Sequence, residues 1–288
     1  MTAQNILWGP ASLDRYIDQN LSFHDTVLPG GGALNMAYHW SQLGLPFHFL
    51  SRIGDDLPHV FTDFFQRHGI EHSPSMLGQG QSASIDITIR ADRQPWMDNF
   101  VEGVWTNFRL TADEEALVRS ARRLHTVLVD PVVDELNRLG ETGALDHVDA
   151  SGDFLDFRHY DVERFEGAMR WLNTAFIGWP GAIDDPLIAG VRDVVHRGKR
   201  LAVITMGSRG VEVVDGRDDS PDDRFVSVTP VEVVGTTVGC GDAFIAAFLA
   251  HWWRSDQTSH DLDAAVSAGA ALGAAATSWP RPLPDDAY

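Results

Sequence analysis

The sequence has little of several features that define common classes of protein. Its single cysteine, Cys240, cannot form an internal disulfide and leaves no cysteine cluster for zinc. No segment reaches the roughly 20 consecutive apolar residues of a membrane helix, and the N-terminal residues lack the basic start and apolar run of a signal peptide. These absences predict a cytoplasmic protein that does not bind membranes.

Positive charge is also scarce. The 288 residues include 22 Lys and Arg against 41 Asp and Glu, which gives a formal net charge of −19, and Lys199 is the only lysine. Such a charge repels polyanions and argues against nucleic acid as a partner. Any phosphate chemistry must therefore rely on backbone amides, helix ends, arginine or a metal ion.

Two common nucleotide-binding motifs are missing. Lys199 follows Gly198 without the glycine loop or the Ser or Thr of a P-loop, which excludes a P-loop kinase. After the first apolar segment the chain has Gly9-Pro10-Ala11-Ser12, and a proline so close to the turn argues against a Rossmann dehydrogenase.

What the sequence does contain is an α/β pattern. From about residue 120, β-rich segments at 126–130, 145–150, 174–177 and 201–205 alternate with helices that begin near residues 132, 162 and 186. Two further helices are expected at about 242–253 and 262–277. We therefore predict one domain over residues 1–288, with a central, mostly parallel sheet covered by helices.

Two regions depart from this alternation of strands and helices, and their pattern predicts a small second sheet. Residues 16–28 and 82–104 read as extended segments, and in the second one Ile85, Ile87 and Ile89 alternate with polar residues. We expect this sheet to act as a lid formed by segments at about 14–30 and 82–108. Its exposed edges favour pairing of two copies into a homodimer.

The sharpest local motif is Gly239-Cys240-Gly241-Asp242, which follows a β-branched segment and opens a helix. Two glycines let the backbone turn tightly, and the free amides and positive end of the helix predict an anion site. Asp242 at such a junction suits either a helix cap or a general base. The thiol of Cys240 lies at the helix start, where its pKa is expected to fall.

Several motifs together resemble the ribokinase, or PfkB carbohydrate kinase, family. Gly239-Cys240-Gly241-Asp242 is similar to one signature of that family, and the segment Gly30 to Asn35, followed by Ile53-Gly54-Asp55-Asp56, is similar to the other. Residues 99–104 and 110–114 most resemble the fructoselysine 6-kinase branch. The resemblance implies a ribokinase-like three-layer sandwich with a β-sheet lid, and ATP-dependent phosphorylation of a sugar hydroxyl with Mg²⁺.

The resemblance also assigns roles to residues. It implies that Asp242 is the catalytic base and that the amides of Gly239, Cys240 and Gly241 hold developing phosphoryl charge. It implies a sugar site and a nucleotide site, in addition to lid residues that select the substrate. The sugar site comprises Asp14, Gly31, Gly32 and Asn35, the lid residues are Arg90 and Glu102, and the nucleotide site comprises Thr205, Gly207, Gly210, Ala271 and Ala275.

The sequence departs from the family pattern at two places. Thr236 stands where the family has an aspartate, which puts a monovalent-cation site in doubt, and the acidic motif that organises magnesium is unrecognisable after residue 177. Asp184 is the weak metal candidate there. These departures leave open an alternative, a sugar- or nucleotide-binding sensor of the same fold with little or no turnover.

Overall fold

The computed structural model describes residues 4–18, 22–157 and 159–288. The chain divides into two compact units, Met1–Ile6 with Ala112–Pro230 and Leu7–Thr111 with Val231–Tyr288. The larger sheet has the strand order β12-β11-β10-β9-β8-β7-β1-β4, and the smaller sheet has the order β3-β2-β5-β6. The predicted α/β class, with a mostly parallel central sheet and a small separate sheet, is confirmed.

The strands and helices are numbered in chain order. The strands are β1 (Asn5–Trp8), β2 (Ser12–Tyr16), β3 (Thr26–Gly30), β4 (His48–Leu50), β5 (Ala83–Ile89), β6 (Pro95–Val101), β7 (Arg123–Val127), β8 (Asp149–Asp153), β9 (Thr174–Gly178), β10 (Leu201–Thr205), β11 (Val211–Asp215) and β12 (Asp222–Val226). The helices are α1 (Gly32–Gln42), α2 (Pro58–His68), α3 (Ala112–Ser120), α4 (Asp130–Glu141), α5 (Val162–Met169), α6 (Pro186–Gly198), α7 (Cys240–Trp252) and α8 (Ser259–Ala276). Within the described residues, no helix has the length and apolar character needed to span a membrane.

The first unit is built on parallel strands linked by helices. β7, β8, β9 and β10 pair in parallel, and the chain then returns through antiparallel β11 and β12. The helices between them begin and end with local signals: Asp161 and Asp185 cap α5 and α6 by accepting from backbone amides, and Lys199 ends α6 in a left-handed conformation. This unit therefore matches the predicted alternation of strand and helix.

The second unit combines four helices with the small sheet. α7 packs against both α8 and α1. The close approach of α7 and α8 depends on Gly269, because a Cβ there would lie 2.9 Å from the carbonyl oxygen of Phe244. In the small sheet, β2 pairs antiparallel with β3 and parallel with β5, and β5 pairs antiparallel with β6.

The small sheet is formed by the two segments that the sequence predicts for a lid. Strands β2 and β3 come from the first segment and β5 and β6 from the second, while residues 19–21 of the first segment lie outside the described residues. Tyr16 and Ile87 are buried on this sheet and pack with Val238, which directly precedes the glycines at the start of α7. The count of one domain stays a prediction.

Candidate active site

Three polar side chains from separate elements meet in the second unit. Asp14 comes from β2, Asn35 from the first turns of α1, and Asp242 from the first turn of α7. The Asn35 Nδ2 donates to Asp242 Oδ2 at 2.8 Å, and the Ser12 hydroxyl donates to Asp14 Oδ1 at 2.8 Å. These residues are about 20 and 200 positions apart along the chain, so only the fold brings them together.

The backbone beside Asp14 leaves no space for side chains. A Cβ at Gly30 would overlap the Asp14 carboxylate. Gly31 has φ 94, and a Cβ there would lie 2.7 Å from the carbonyl oxygen of Pro10. Glycine is thus required at both positions, by close approach at Gly30 and by conformation as well at Gly31.

The start of α7 presents free backbone amides. Gly239 is left-handed with φ 77, and the first intrahelical hydrogen bond runs from the Ala243 amide to the Gly239 carbonyl at 2.9 Å. The Cys240 amide is used locally, because it donates to the carbonyl of Thr237 at 3.3 Å. In the described part of the chain, the amides of Gly241 and Asp242 have no protein acceptor, and a Cβ at Gly241 would meet open space. This exposed helix end suits an anion.

The surroundings raise the pKa values of both carboxyls. Burial raises the pKa of Asp242 to about 6, an effect that the hydrogen bond from Asn35 opposes. Burial also raises the pKa of Asp14 to about 7, against the hydrogen bond from Ser12, and the nearby charge of Asp242 raises it further. A carboxyl with a pKa near 6 is close to the value that suits proton transfer near neutral pH.

The expectation for the Cys240 thiol is wrong. Burial, together with the charge of Asp242, raises the pKa of this thiol to about 12 instead of lowering it. The thiol lies 3.8 Å from the Thr236 carbonyl oxygen. A nucleophilic thiolate at this position is therefore disfavoured.

The loop before α7 is joined to the turn between β5 and β6. The Thr236 hydroxyl and the Thr237 amide both donate to the Arg93 carbonyl oxygen at 3.2 Å, and the Thr237 hydroxyl donates to Gln94 Oε1 at 2.8 Å. Thr236 is fully buried, and its hydroxyl oxygen also accepts from the Val238 amide at 3.2 Å. The position where the family has an aspartate is thus occupied by a bonded hydroxyl.

Comparisons with known proteins find similarity to sugar kinases. A family model described as pfkB family carbohydrate kinase matches residues 175–281. Fructoselysine 6-kinase of Escherichia coli strain K12 is 25% identical over 270 residues, which cover 92% of this chain and 94% of that protein. The structure of ribokinase from Giardia lamblia superimposes with a TM-score of 0.79 and 15% identity, covering 98% and 95% of the two chains. The chain is therefore similar to PfkB carbohydrate kinases over residues 175–281 and to a fructoselysine 6-kinase over most of its length.

A further solved relative carries ligands. The fructokinase of Vibrio cholerae O395, determined with fructose, ADP and calcium ion, has a TM-score of 0.72 and 17% identity to this chain, covering 98% of this chain and 94% of that one. At that identity the likeness shows the fold alone.

The residues assigned to the nucleotide fall in both units of the chain. In the first unit, Thr205 ends β10, and the left-handed glycines Gly207 (φ 59) and Gly210 (φ 131) follow it closely. In the second unit, Ala271 and Ala275 lie one turn apart on α8, and both are exposed. Their nucleotide role stays a prediction.

The lid residues assigned to the substrate lie on the small sheet. The Arg90 guanidinium is 4.4 Å from the centre of the Trp96 ring, and Arg90 is exposed. Glu102 is partly buried, and its carbonyl accepts from the Trp105 amide at 3.1 Å. Gly32 begins α1 beside Gly31. These roles stay predictions as well.

The described residues contain no cluster of three or more His, Cys, Asp or Glu side chains able to hold a metal ion. Asp184 is exposed, and the neighbouring Asp185 is used as the cap of α6, where it accepts from the Leu187 amide at 2.9 Å. The donor set therefore does not form a protein cage for a divalent ion. It fits an ion that is held mainly by phosphate oxygens and water.

Sequence reasoning missed residues of the same region that no motif marks. Tyr16 lies two positions after Asp14 on β2, and alternation along a strand puts both side chains on one face. Arg281 and Tyr288 come from the C-terminal segment, where Pro282 closely approaches Gly239. The spacing of Asp14 and Tyr16 could have indicated Tyr16, whereas Arg281 could be found only from the fold.

Proposed function

We propose that this protein transfers the γ-phosphoryl group of ATP to a hydroxyl of a sugar or sugar derivative, with Asp242 as the general base. The observation that carries the proposal is the meeting of a carboxyl of pKa about 6 with the free amides of Gly241 and Asp242. An acceptor hydroxyl would give its proton to Asp242 while its oxygen attacks phosphorus in line with the departing ADP.

The start of α7 would stabilise the transferred group. Its amides and its positive end face the charge that develops on the phosphoryl oxygens. The Asn35 amide fixes one oxygen of Asp242, which leaves the other free to face the acceptor. Closure of the small sheet over the site as a lid would exclude water, so that hydrolysis of ATP does not compete.

The nucleotide would arrive with its own divalent ion, which we propose to be Mg²⁺. That ion would neutralise phosphate charge when bound. Thr205, Gly207, Gly210, Ala271 and Ala275 are the residues proposed to contact the nucleotide. With a bonded hydroxyl in place of an aspartate at Thr236, we do not assign a monovalent cation.

The acceptor is proposed to be a polyol such as fructose or a fructose amine. Asp14 supplies a carboxyl and Asn35 an amide, the directional groups that sugar hydroxyls need. The likeness to fructoselysine 6-kinase of Escherichia coli supports this class of acceptor. Arg90 and Glu102 are proposed to select among such acceptors.

The test is a panel of acceptors with ATP and Mg²⁺, read by ADP release in a coupled assay. Fructose, fructoselysine, ribose and adenosine are the first compounds to compare. We expect turnover with at least one of the sugars above the rate without acceptor. Binding of a sugar without any ADP release would instead favour the sensor.

A further inference from the structure

Buried polar atoms without partners surround the proposed acceptor site. Within the described residues, the Tyr16 hydroxyl, Asn35 Oδ1 and Arg281 Nε are buried and have no hydrogen-bond partner. An unpaired buried donor or acceptor loses its hydrogen bonds to water without replacement, so native proteins keep few of them without a reason. Three such atoms around one site indicate that a polar ligand completes them.

Contacts between side chains connect Tyr16, Phe23, Arg281 and Tyr288 into one continuous surface, which we call the wall. The Arg281 guanidinium lies between two aromatic rings, 5.0 Å from the centre of Phe23 and 4.5 Å from the centre of Tyr288. Phe23 packs edge-on against Tyr16 with ring centres 5.1 Å apart. Tyr16 in turn shares one face of β2 with Asp14.

The same wall reaches the start of α7. A Cβ at Gly239 would lie 2.8 Å from the Cα of Pro282, so the residue after Arg281 packs directly on the glycine before the free amides. The C-terminal segment is held in place by the Ala287 carbonyl, which lies 2.7 Å from His68 Nε2 and 3.4 Å from Arg67 Nη1 on α2.

Electrostatics agree with this proximity. Burial raises the pKa of Tyr16, the charges of Asp14 and Tyr288 raise it further, and Arg281 opposes them. Burial likewise raises the pKa of Tyr288, with Asp14 next among the causes. The hydroxyls of both tyrosines therefore stay protonated near neutral pH and are able to donate hydrogen bonds.

We propose that Tyr16 and Arg281 are specificity residues of the acceptor site, where the tyrosine hydroxyl and the arginine Nε–H each bind an oxygen of the acceptor. This inference rests on the proposed sugar kinase function and names the class of its substrate. The wall supplies donors to acceptor oxygens, while Asn35 Oδ1, Asp14 and Asp242 accept from acceptor hydroxyls.

The charges around the wall favour an uncharged or amine-bearing acceptor over an acidic one. Arg281 is already paired, because its Nη2 lies 2.5 Å from Asp285 Oδ1. Asp14 and Asp242 add two further carboxyls, whose hydrogen-bond partners among the described residues are the neutral Ser12 and Asn35. A phosphate or carboxylate group already present on the acceptor would be repelled by the net negative charge of these carboxylates. Sugar phosphates and sugar acids are therefore expected to be poor acceptors.

The experiment compares Tyr16→Phe and Arg281→Lys with the wild-type protein. Tyr16→Phe removes the hydroxyl donor, and Arg281→Lys removes the Nε–H together with the planar guanidinium but keeps the positive charge. We expect KM for fructose or fructoselysine to rise roughly 10-fold in each variant. We expect kcat to change less than about threefold and KM for ATP to stay the same. The Arg281→Lys variant keeps the positive charge that faces Asp285 but lacks the Nε–H. A rise in KM for this variant therefore reports the loss of the guanidinium with its Nε–H rather than the loss of the charge.

A matched control uses a buried tyrosine elsewhere. The Tyr160 hydroxyl donates to the Leu128 carbonyl oxygen at 3.3 Å in the first unit, so Tyr160→Phe also removes one buried hydroxyl. We expect its KM for the acceptor to equal that of the wild type. Equal KM values for Tyr16→Phe, Arg281→Lys and the wild type, or better turnover with fructose 6-phosphate or gluconate than with the neutral sugar, would overturn the inference.

Failure of the proposed function gives a different result. If the wild-type protein phosphorylates none of these compounds, binding of fructose and fructoselysine is measured directly by saturation-transfer NMR. If saturation transfer is weaker for Tyr16→Phe than for the wild type, the wall binds the sugar and only the kinase proposal is refuted. Absence of transfer from both sugars in the wild type refutes the wall as well.

Discussion

Asp242 is the residue on which the proposed reaction depends, and its amide counterpart tests that role directly. Asp242→Asn keeps the shape and the hydrogen bonding of the side chain but removes the base. We expect turnover to fall by roughly 10²–10⁴-fold, because that is the usual contribution of a positioned general base. Binding of ATP, measured by calorimetry, is expected to stay nearly unchanged, since the free amides at the start of α7 remain.

A control for this change is available at a helix cap. Asp161 Oδ1 accepts from the Arg164 amide at 2.8 Å at the start of α5, and asparagine caps a helix about as well as aspartate. Asp161→Asn is therefore expected to keep wild-type turnover. Turnover of Asp242→Asn equal to that of this control would remove Asp242 from the chemistry.

The pH dependence of turnover follows from the raised pKa of Asp242. The base must be ionised, so kcat/KM for the acceptor is expected to rise with pH through about 6, the pKa of the free enzyme. The hydrogen bond from Asn35 favours the ionised form, and its removal in Asn35→Ala raises the pKa of Asp242. We expect the acid limb of the kcat/KM profile to move up by about one pH unit, measured with acceptor well below KM. A limb that stays in place or moves down would contradict this account.

For individual residues of the candidate site, the sequence predicts those that belong to motifs and misses those that do not. Asn35 and Asp242 follow glycines in the sequence, whereas the close approach of Gly30 to the Asp14 carboxylate is visible only in the fold. Arg281 has no such mark, since its position depends on rings from β2, on the segment after it and on the C-terminus. The hydrogen bond from the Cys240 amide to the Thr237 carbonyl could not be predicted from the sequence either, because it depends on loop geometry.

Among the elements, the turn between β5 and β6 is hydrogen-bonded to the loop before α7. Thr237→Val removes the hydroxyl that donates to Gln94 Oε1 and leaves the backbone bonds to Arg93 in place. We expect kcat to fall about threefold to tenfold, because one hydrogen bond contributes about 1 kcal/mol to holding the loop. Amide exchange at residues 236–242, measured by mass spectrometry, is expected to become faster.

The matched control is another exposed threonine of the same unit. The Thr106 hydroxyl donates to the Gly103 carbonyl at 3.0 Å, so Thr106→Val removes a comparable bond away from α7. It is expected to leave both kcat and exchange at residues 236–242 unchanged. Gln94→Ala should reproduce the effect of Thr237→Val, and the double variant should lose no more than either single one.

Element positions were predictable where signals are local. β9, β10, α5 and α6 begin within a residue or two of their predicted positions, because proline, capping aspartate or β-branched runs mark them. β8 was placed too early: the prediction took in Leu145 and Val148, which are buried before the strand, whereas the strand is Asp149–Asp153. β12 has an exposed, charged sequence, and its pairing with β11 makes it a strand.

For the whole molecule, the net charge of −19 bears on assembly. Two copies repel each other at low ionic strength, since the Debye length at 0.01 M is about 30 Å, and salt screens that repulsion. Any self-association must therefore depend on apolar contacts and strengthen as salt is added. The feature that fits is β6, an edge strand of the small sheet with exposed apolar side chains, which are Trp96, Met97, Phe100 and Val101.

We predict that the protein forms a homodimer through β6 and that Phe100→Glu shifts it toward the monomer. Phe100 is 50% exposed, and a charge there would be buried without a partner on pairing. Sedimentation velocity over a range of concentrations is expected to show weaker association for this variant, by tenfold or more in Kd. The matched control is Phe225→Glu on β12, an edge strand of the larger sheet where Phe225 is 47% exposed. If both variants weaken association equally, or if association weakens as salt rises from 20 to about 300 mM, apolar pairing through β6 is not what joins the copies.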